Sequence, residues 1–97
     1  MFDQTKRVDL EGTIARFKWQ NPHAFIEIDV PVGETVERWV IEMTSPNNRI
    51  QQGFKRSSLK PGDKVTLQAQ PLRNGSKGGN FVAVRMEDGS VLGNWEG

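Results

Sequence analysis

The sequence predicts an all-β domain: a barrel of five or six strands with one short helix between the third and the fourth. Three observations predict it. Apolar residues alternate with polar ones at period two in five separate runs, the pattern of strands that bury one face. In the first run the alternation slips by one residue at Ala15. A β-bulge produces such a slip where a long strand bends from one sheet face to another. Between the third and fourth runs, Ser45-Pro46 supplies an N-cap and a first-turn proline, and Gly53 a C-terminal stop.

The elements follow in order. Val8, Leu10, Gly12 and Ile14 share one face; after the slip Ala15, Phe17 and Trp19 occupy it. Gly12 eases the coiling upstream of the bulge. Arg16–Val30 then reads as strand, turn and strand, with Asn21-Pro22-His23 as the turn, because the residue before a proline is pushed out of the helical region. The rest of the sheet must pair with this hairpin or pack across it. In the second strand, His23–Val30, the residues Ala24, Ile26, Ile28 and Val30 face inward, and His23, Phe25, Glu27 and Asp29 outward. Pro31–Glu34 is a hairpin loop. The third strand, Val36–Met43, turns Trp39, Ile41 and Met43 inward, with Arg38, Val40 and Glu42 opposite. Asn47–Gln52 makes about two helical turns, anchored by Ile50 and covered at its end by Phe54. Pro61-Gly62-Asp63 turns into strand four, Lys64–Pro71, with Val65, Leu67 and Ala69 inward. Arg73–Asn80 is a glycine-rich loop. Strand five, Phe81–Glu87, points Val82, Val84 and Met86 inward. Asp88-Gly89 is a hairpin signal, and Ser90–Leu92 returns as a brief sixth strand. Residues 93–97, with Trp95, form a tail expected to be partly disordered. Three strands, a helix and two strands, the first bulged, is the order of an oligonucleotide/oligosaccharide-binding (OB) barrel. An open β-sandwich is the alternative; a helix placed to plug the barrel favours the barrel.

Ninety-seven residues make one domain. Thirteen basic and twelve acidic residues leave a net charge of +1, so no general attraction to nucleic acid or anionic membrane is expected. The absence of cysteine excludes disulfides and thiolate metal sites but leaves the compartment open. No apolar run approaches the ~18 residues of a membrane span. There is no internal repeat, and no signal peptide precedes Phe2.

Trp19-Gln-Asn-Pro-His-Ala, Trp39-Val-Ile-Glu, Ser45-Pro-Asn, Gln52-Gly-Phe, Ser58-Leu-Lys-Pro-Gly-Asp and Asp88-Gly resemble, in order and spacing, a bacterial family of small exported domains of unknown function. The resemblance runs from about Phe2 to Leu92. Members typically carry a signal peptide and a His-His-Ser-Phe-like segment just before the position of Phe2. This chain has neither, so a trimmed leader is expected. It also has Phe54 where the family usually has tryptophan. The resemblance implies a periplasmic or secreted location and no activity.

The outward face of strands one to three is where OB barrels bind ligands. Here it carries Arg16, Lys18, Phe25 and Arg38 among Glu27, Val40 and Glu42; cross-strand ion pairing explains the same residues. The glycine-rich loop adds Arg73 and Lys77. It is no phosphate loop, since the Gly-x4-Gly-Lys-Ser/Thr spacing is absent. Single-stranded nucleic acid is the alternative ligand, but that mode wants aromatic platforms in a positive groove. His23 is the single metal candidate. Glu27 lies ~13 Å along the same strand, too far to share one ion, so a backbone hydrogen bond near the turn is the simpler role. Ser57 and Ser58 lack a nucleophile-elbow context, and no acid pair is poised for catalysis. The expectation is therefore a non-catalytic barrel, without cofactor, that binds a small ligand or a protein.

Overall fold

The computed structural model describes residues 2–3, 5–19, 23–44, 57–93 and 95. Its regular elements are six strands: β1 Val8–Lys18, β2 His23–Val32, β3 Thr35–Thr44, β4 Lys64–Pro71, β5 Gly78–Met86 and β6 Val91–Gly93. β1 pairs antiparallel with β2 and β4, β2 with β3, and β4 with β5. A short parallel pairing of β3 with β5, from Val40↔Gly78 to Glu42↔Asn80, closes the five strands into a barrel. β6 is an added strand on β5. The expected helix at Asn47–Gln52 and the turn at Asn21-Pro22 lie outside the described residues.

The first bulge falls where the phase slip places it. Ile14 pairs with Ile28 and Arg16 with Glu27, so Ala15 has no opposite number. Upstream of it β1 pairs with β4, from Val8↔Ala69 to Thr13↔Lys64; downstream it pairs only with β2. The bend delivers Ile14 and Phe17 to the same interior, Ile14 fully buried and Phe17 packed against the core.

The core gathers the predicted inward residues: Leu10, Ile14, Ala24, Ile26, Ile28, Ile41, Met43, Val65, Leu67 and Ala69 are all buried, and Leu59 joins them from the turn before β4. Trp39 is half-buried at its margin, with Val30 and Met86.

Strand five needs correction. It begins at Gly78, inside the predicted loop, and Ala69 pairs with Phe81 while Gln68 pairs with Ala83. Val82 is therefore a second bulge and only half-buried, and Phe81, 2% exposed, fills the interior in its place. The β2–β3 loop is shorter than expected, because pairing continues to Val32↔Thr35 and leaves only Gly33-Glu34 in the turn. The sixth strand runs one residue later than expected, to Gly93. Of the tail expected to be partly disordered, Gly93 thus belongs to β6, and Trp95 lies 4.4 Å beneath the Arg85 guanidinium.

Closure of the barrel depends on two adjacent glycines. A Cβ on Gly78 would stand 2.9 Å from Leu72 Cδ1 and 3.1 Å from the Val40 carbonyl oxygen; one on Gly79 would collide with the Gln70 carbonyl. β3, β5 and β4 can approach this closely only because residues 78 and 79 lack side chains.

Candidate functional site

Register sets the outer face of the barrel. Across the strands, Arg16, Glu27, Val40 and Gly78 form one row, and Lys18, Phe25, Glu42, Asn80 and Gln70 the next. These are the outward positions left by the buried alternation of β2 and β3. Cross-strand neighbours on one sheet face stand close enough to pair, and the charged ones do. Arg38 grips its register partner Asp29 with two hydrogen bonds, Nε to Oδ1 at 2.6 Å and Nη2 to Oδ2 at 3.0 Å. Its Nη1 reaches Glu27 Oε1 at 3.3 Å, and Arg16 approaches the other Glu27 oxygen at 3.8 Å. The forked bond to Arg38 holds the Asp29 carboxyl below its ordinary pKa, and Asp29 raises that of Arg38 in return.

The seam between β3 and β5 carries a groove of about 480 Å³. Its apolar lining is Phe25 and Val40 from the sheet, Leu72 from the end of β4, and Phe2. Phe2 arrives there because the N-terminal segment is tied to that end of β4: Phe2 bridges Leu72, and the Asp3 amide donates to the Pro71 carbonyl at 2.7 Å. Glu42 and Lys77 supply the polar lining over Gly78-Gly79. Lys77 Nζ also lies 3.7 Å from Glu37, and Arg73 Nε donates to the Phe2 carbonyl at 3.4 Å.

Of the residues singled out from the sequence, Phe25 and Lys77 meet in this groove. Arg73 does not line it but donates to the carbonyl of Phe2, which does. Arg16 and Arg38 belong to the ion-paired ladder beside it, and Lys18 flanks Phe25 in register. Phe2 and Leu72 were not foreseen. Their partnership arises from chain closure, and no periodicity marks it. His23 opens β2 opposite Thr44; its side chain lies outside what the structure describes. Among the described residues no three His, Cys, Asp or Glu side chains cluster to hold a metal ion, and no helix is long and apolar enough to cross a membrane.

A second cavity of about 400 Å³ lies between β1, β4 and β5, lined by Gly12, Thr13, Lys64, Val65, Arg85 and Met86 among others. It contains none of the candidate ligand contacts Arg16, Lys18, Phe25, Arg38, Arg73 and Lys77.

The fold and groove thus define a small closed β-barrel with a lined seam on its outer surface. The model of a family of unknown function (DUF6152) matches residues 1–81, and the chain belongs to that family. No curated protein and no solved structure matches it.

Proposed function

We propose that this barrel is an OB-type, non-catalytic binding module, and that its ligand lies in the groove over the β3–β5 seam. One observation carries the reading. Phe25, on the outward phase of β2, and Lys77, just before β5, come from distant parts of the chain and line the same cleft. In OB barrels that cleft, between the sheet face and the β4–β5 loop, is where ligands dock. A half-buried aromatic with aliphatic neighbours suits a flat or apolar group, and Glu42 and Lys77 would orient its polar atoms. The resemblance to exported domains supports a periplasmic or secreted setting. The absence of a base-activated nucleophile or poised acid pair in the sequence supports a non-catalytic role.

The ion-paired ladder supports a ligand other than a polyanion. Arg16, Arg38 and Lys77 each lie within 4 Å of a carboxylate, so a phosphate backbone would have to displace a protein carboxylate at each of these three cations. A neutral ligand, a short oligosaccharide or an extended apolar peptide, meets no such obstacle. Calorimetry with a neutral hexasaccharide, an apolar hexapeptide and a single-stranded oligonucleotide tests this. The first or second should bind and lose about ten-fold in Phe25→Ala, the scale of a stacking contact. The oligonucleotide should bind no tighter than about 10⁻⁴ M at physiological salt. Sub-micromolar oligonucleotide binding that depends on Phe25 or Lys18 would replace this reading with a nucleic-acid one.

A further inference from the structure

Two exposed turns of the chain share one pattern. Asn74-Gly75-Ser76 lies between β4 and β5, and Asp88-Gly89-Ser90 between β5 and β6. In each the glycine has a positive φ, +80° at Gly75 and +92° at Gly89. Each glycine amide donates to the carbonyl three residues back, Gly75 to Leu72 at 3.2 Å and Gly89 to Met86 at 3.0 Å. Each serine amide donates at 2.9 Å to the Oδ1 of Asn74 or Asp88. The turns differ in the group that the Cγ carbon can release. If the glycine nitrogen attacks Cγ, a five-membered succinimide ring closes. Glycine brings no Cβ to crowd that approach, and the serine N–H stabilises the charge that grows on Oδ1. From Asn74 the ring releases ammonia. From Asp88 it would release water, which requires the protonated carboxyl. The Ser90 hydroxyl, at 2.6 Å, and the Ser90 amide both donate to Asp88 and hold it ionised.

We infer that Asn74 is a site of spontaneous deamidation and that Asp88 is its inert counterpart. The Gly75 nitrogen loses its proton and bonds to Asn74 Cγ. The Cγ–Nδ2 bond breaks, and Nδ2 leaves with that proton as ammonia. One water then opens the ring and leaves aspartate or isoaspartate. The Gly75 amide must first release the Leu72 carbonyl, a bond at the long end of the hydrogen-bond range on an exposed turn. The product lowers the net charge from +1 by one, to zero. Its new carboxylate stands in the turn between Arg73 and Lys77, and Lys77 lines the seam groove. Isoaspartate also adds one main-chain carbon ahead of Gly78 and Gly79, on which closure of the barrel depends.

Ageing the purified protein at neutral to mildly alkaline pH for several weeks, with ion exchange and peptide mass spectrometry, tests this. Cleavage at Arg73 and Lys77 isolates Asn74–Lys77. That peptide should gain about one dalton, the exchange of an amide for a carboxyl. The gain should appear at least about ten-fold faster than at Asn80, whose strand pairing must open first. It should speed up with pH, since the attacking nitrogen must lose a proton. An isoaspartyl methyltransferase should label the aged wild type at this turn. Asn74→Asp should acquire the label at least about ten-fold more slowly, because little of a carboxyl is protonated near neutral pH. No mass gain at Asn74, an equal gain at Asn80, or equal labelling of Asn74→Asp or of the Asp88 turn would each overturn the inference.

Discussion

Ile14, the last residue before the bulge of β1, donates its amide to the carbonyl of Asp63 at 2.8 Å. Its own carbonyl accepts from the Gly62 amide, also at 2.8 Å. The turn Lys60–Asp63 therefore takes up both backbone groups of Ile14 where β1 leaves β4. The turn is braced in itself: the Asp63 amide donates to the Lys60 carbonyl at 3.0 Å, and the Asp63 carboxylate accepts from the Lys60 amide at 3.0 Å. Gly62 sits at φ +97°, the conformation a type II turn demands after proline. The Leu-Lys-Pro-Gly-Asp stretch is thus a cap for the bulge. A side chain at Gly62 meets open space, so Gly62→Ala should destabilise through backbone strain alone, by about 1–2 kcal/mol. Denaturant melting checks it; an unchanged midpoint would mean that the turn does not hold the bend.

Gly12 serves the same bend from the other side. A Cβ there would collide with the carbonyl of Asp29, a backbone atom that cannot swing aside. Gly12→Val should therefore cost more than about 1 kcal/mol despite the higher strand propensity of valine. Equal or greater stability on urea unfolding would remove the close β1–β2 approach from the account.

Trp39 combines gain and cost. Its ring packs on the core, yet its indole N–H is buried with no partner, and an unsatisfied buried donor costs about 1–3 kcal/mol. Trp39→Phe removes the donor while keeping most of the ring, so it should alter stability by less than about 1 kcal/mol. Trp39→Ala should lose about 3 kcal/mol, the low end for a large aromatic, because the residue is half-buried. Thermal or chemical melts of both variants distinguish this from a core position where every truncation is severe.

Three carboxylates contribute to the acid limb of stability. Asp3 and Asp88 are held below the ordinary value of 3.8 chiefly by hydrogen bonds from the side chains of Thr5 and Ser90, and Asp29 by that from Arg38. Each binds a proton more readily in the unfolded chain than in the folded one. Their contribution is therefore intact above about pH 4–5 and is lost as pH falls below 3.8 through the depressed folded values. Unfolding midpoints should be level from neutral pH to about 5 and drop below 4. Asp29→Asn should flatten that drop; an unaltered slope would show that Arg38 does not hold the carboxylate in solution.

How far the fold was legible follows from where period two is visible. At Ala15 the polar and apolar residues exchange faces over several positions on each side, so the bulge shows. At Val82 the run Val82, Val84, Met86 alternates without fault, and the residue that carries the true phase, Phe81, sits beside it looking like the start of the strand. The bulge there is dictated by pairing with Gln68 and Ala69, a tertiary fact. Gly78–Asn80 read as a loop because two glycines and an asparagine disfavour strands, yet the barrel needs those glycines to close. The site was half visible for the same reason. Phe25 stands out as an aromatic on an outward phase and Lys77 as a charge in a loop, whereas Phe2 and Leu72 join them only through the N-terminal bridge.

The location of the binding face is tested most directly by amide NMR titration with the neutral hexasaccharide and the apolar hexapeptide. Binding at the seam should perturb Phe25, Val40, Leu72 and Lys77–Gly79, which line one groove, and leave Thr13, Lys64 and Met86, around the second cavity, unmoved. Perturbations centred on that second cavity, or none with either probe, would contradict the account.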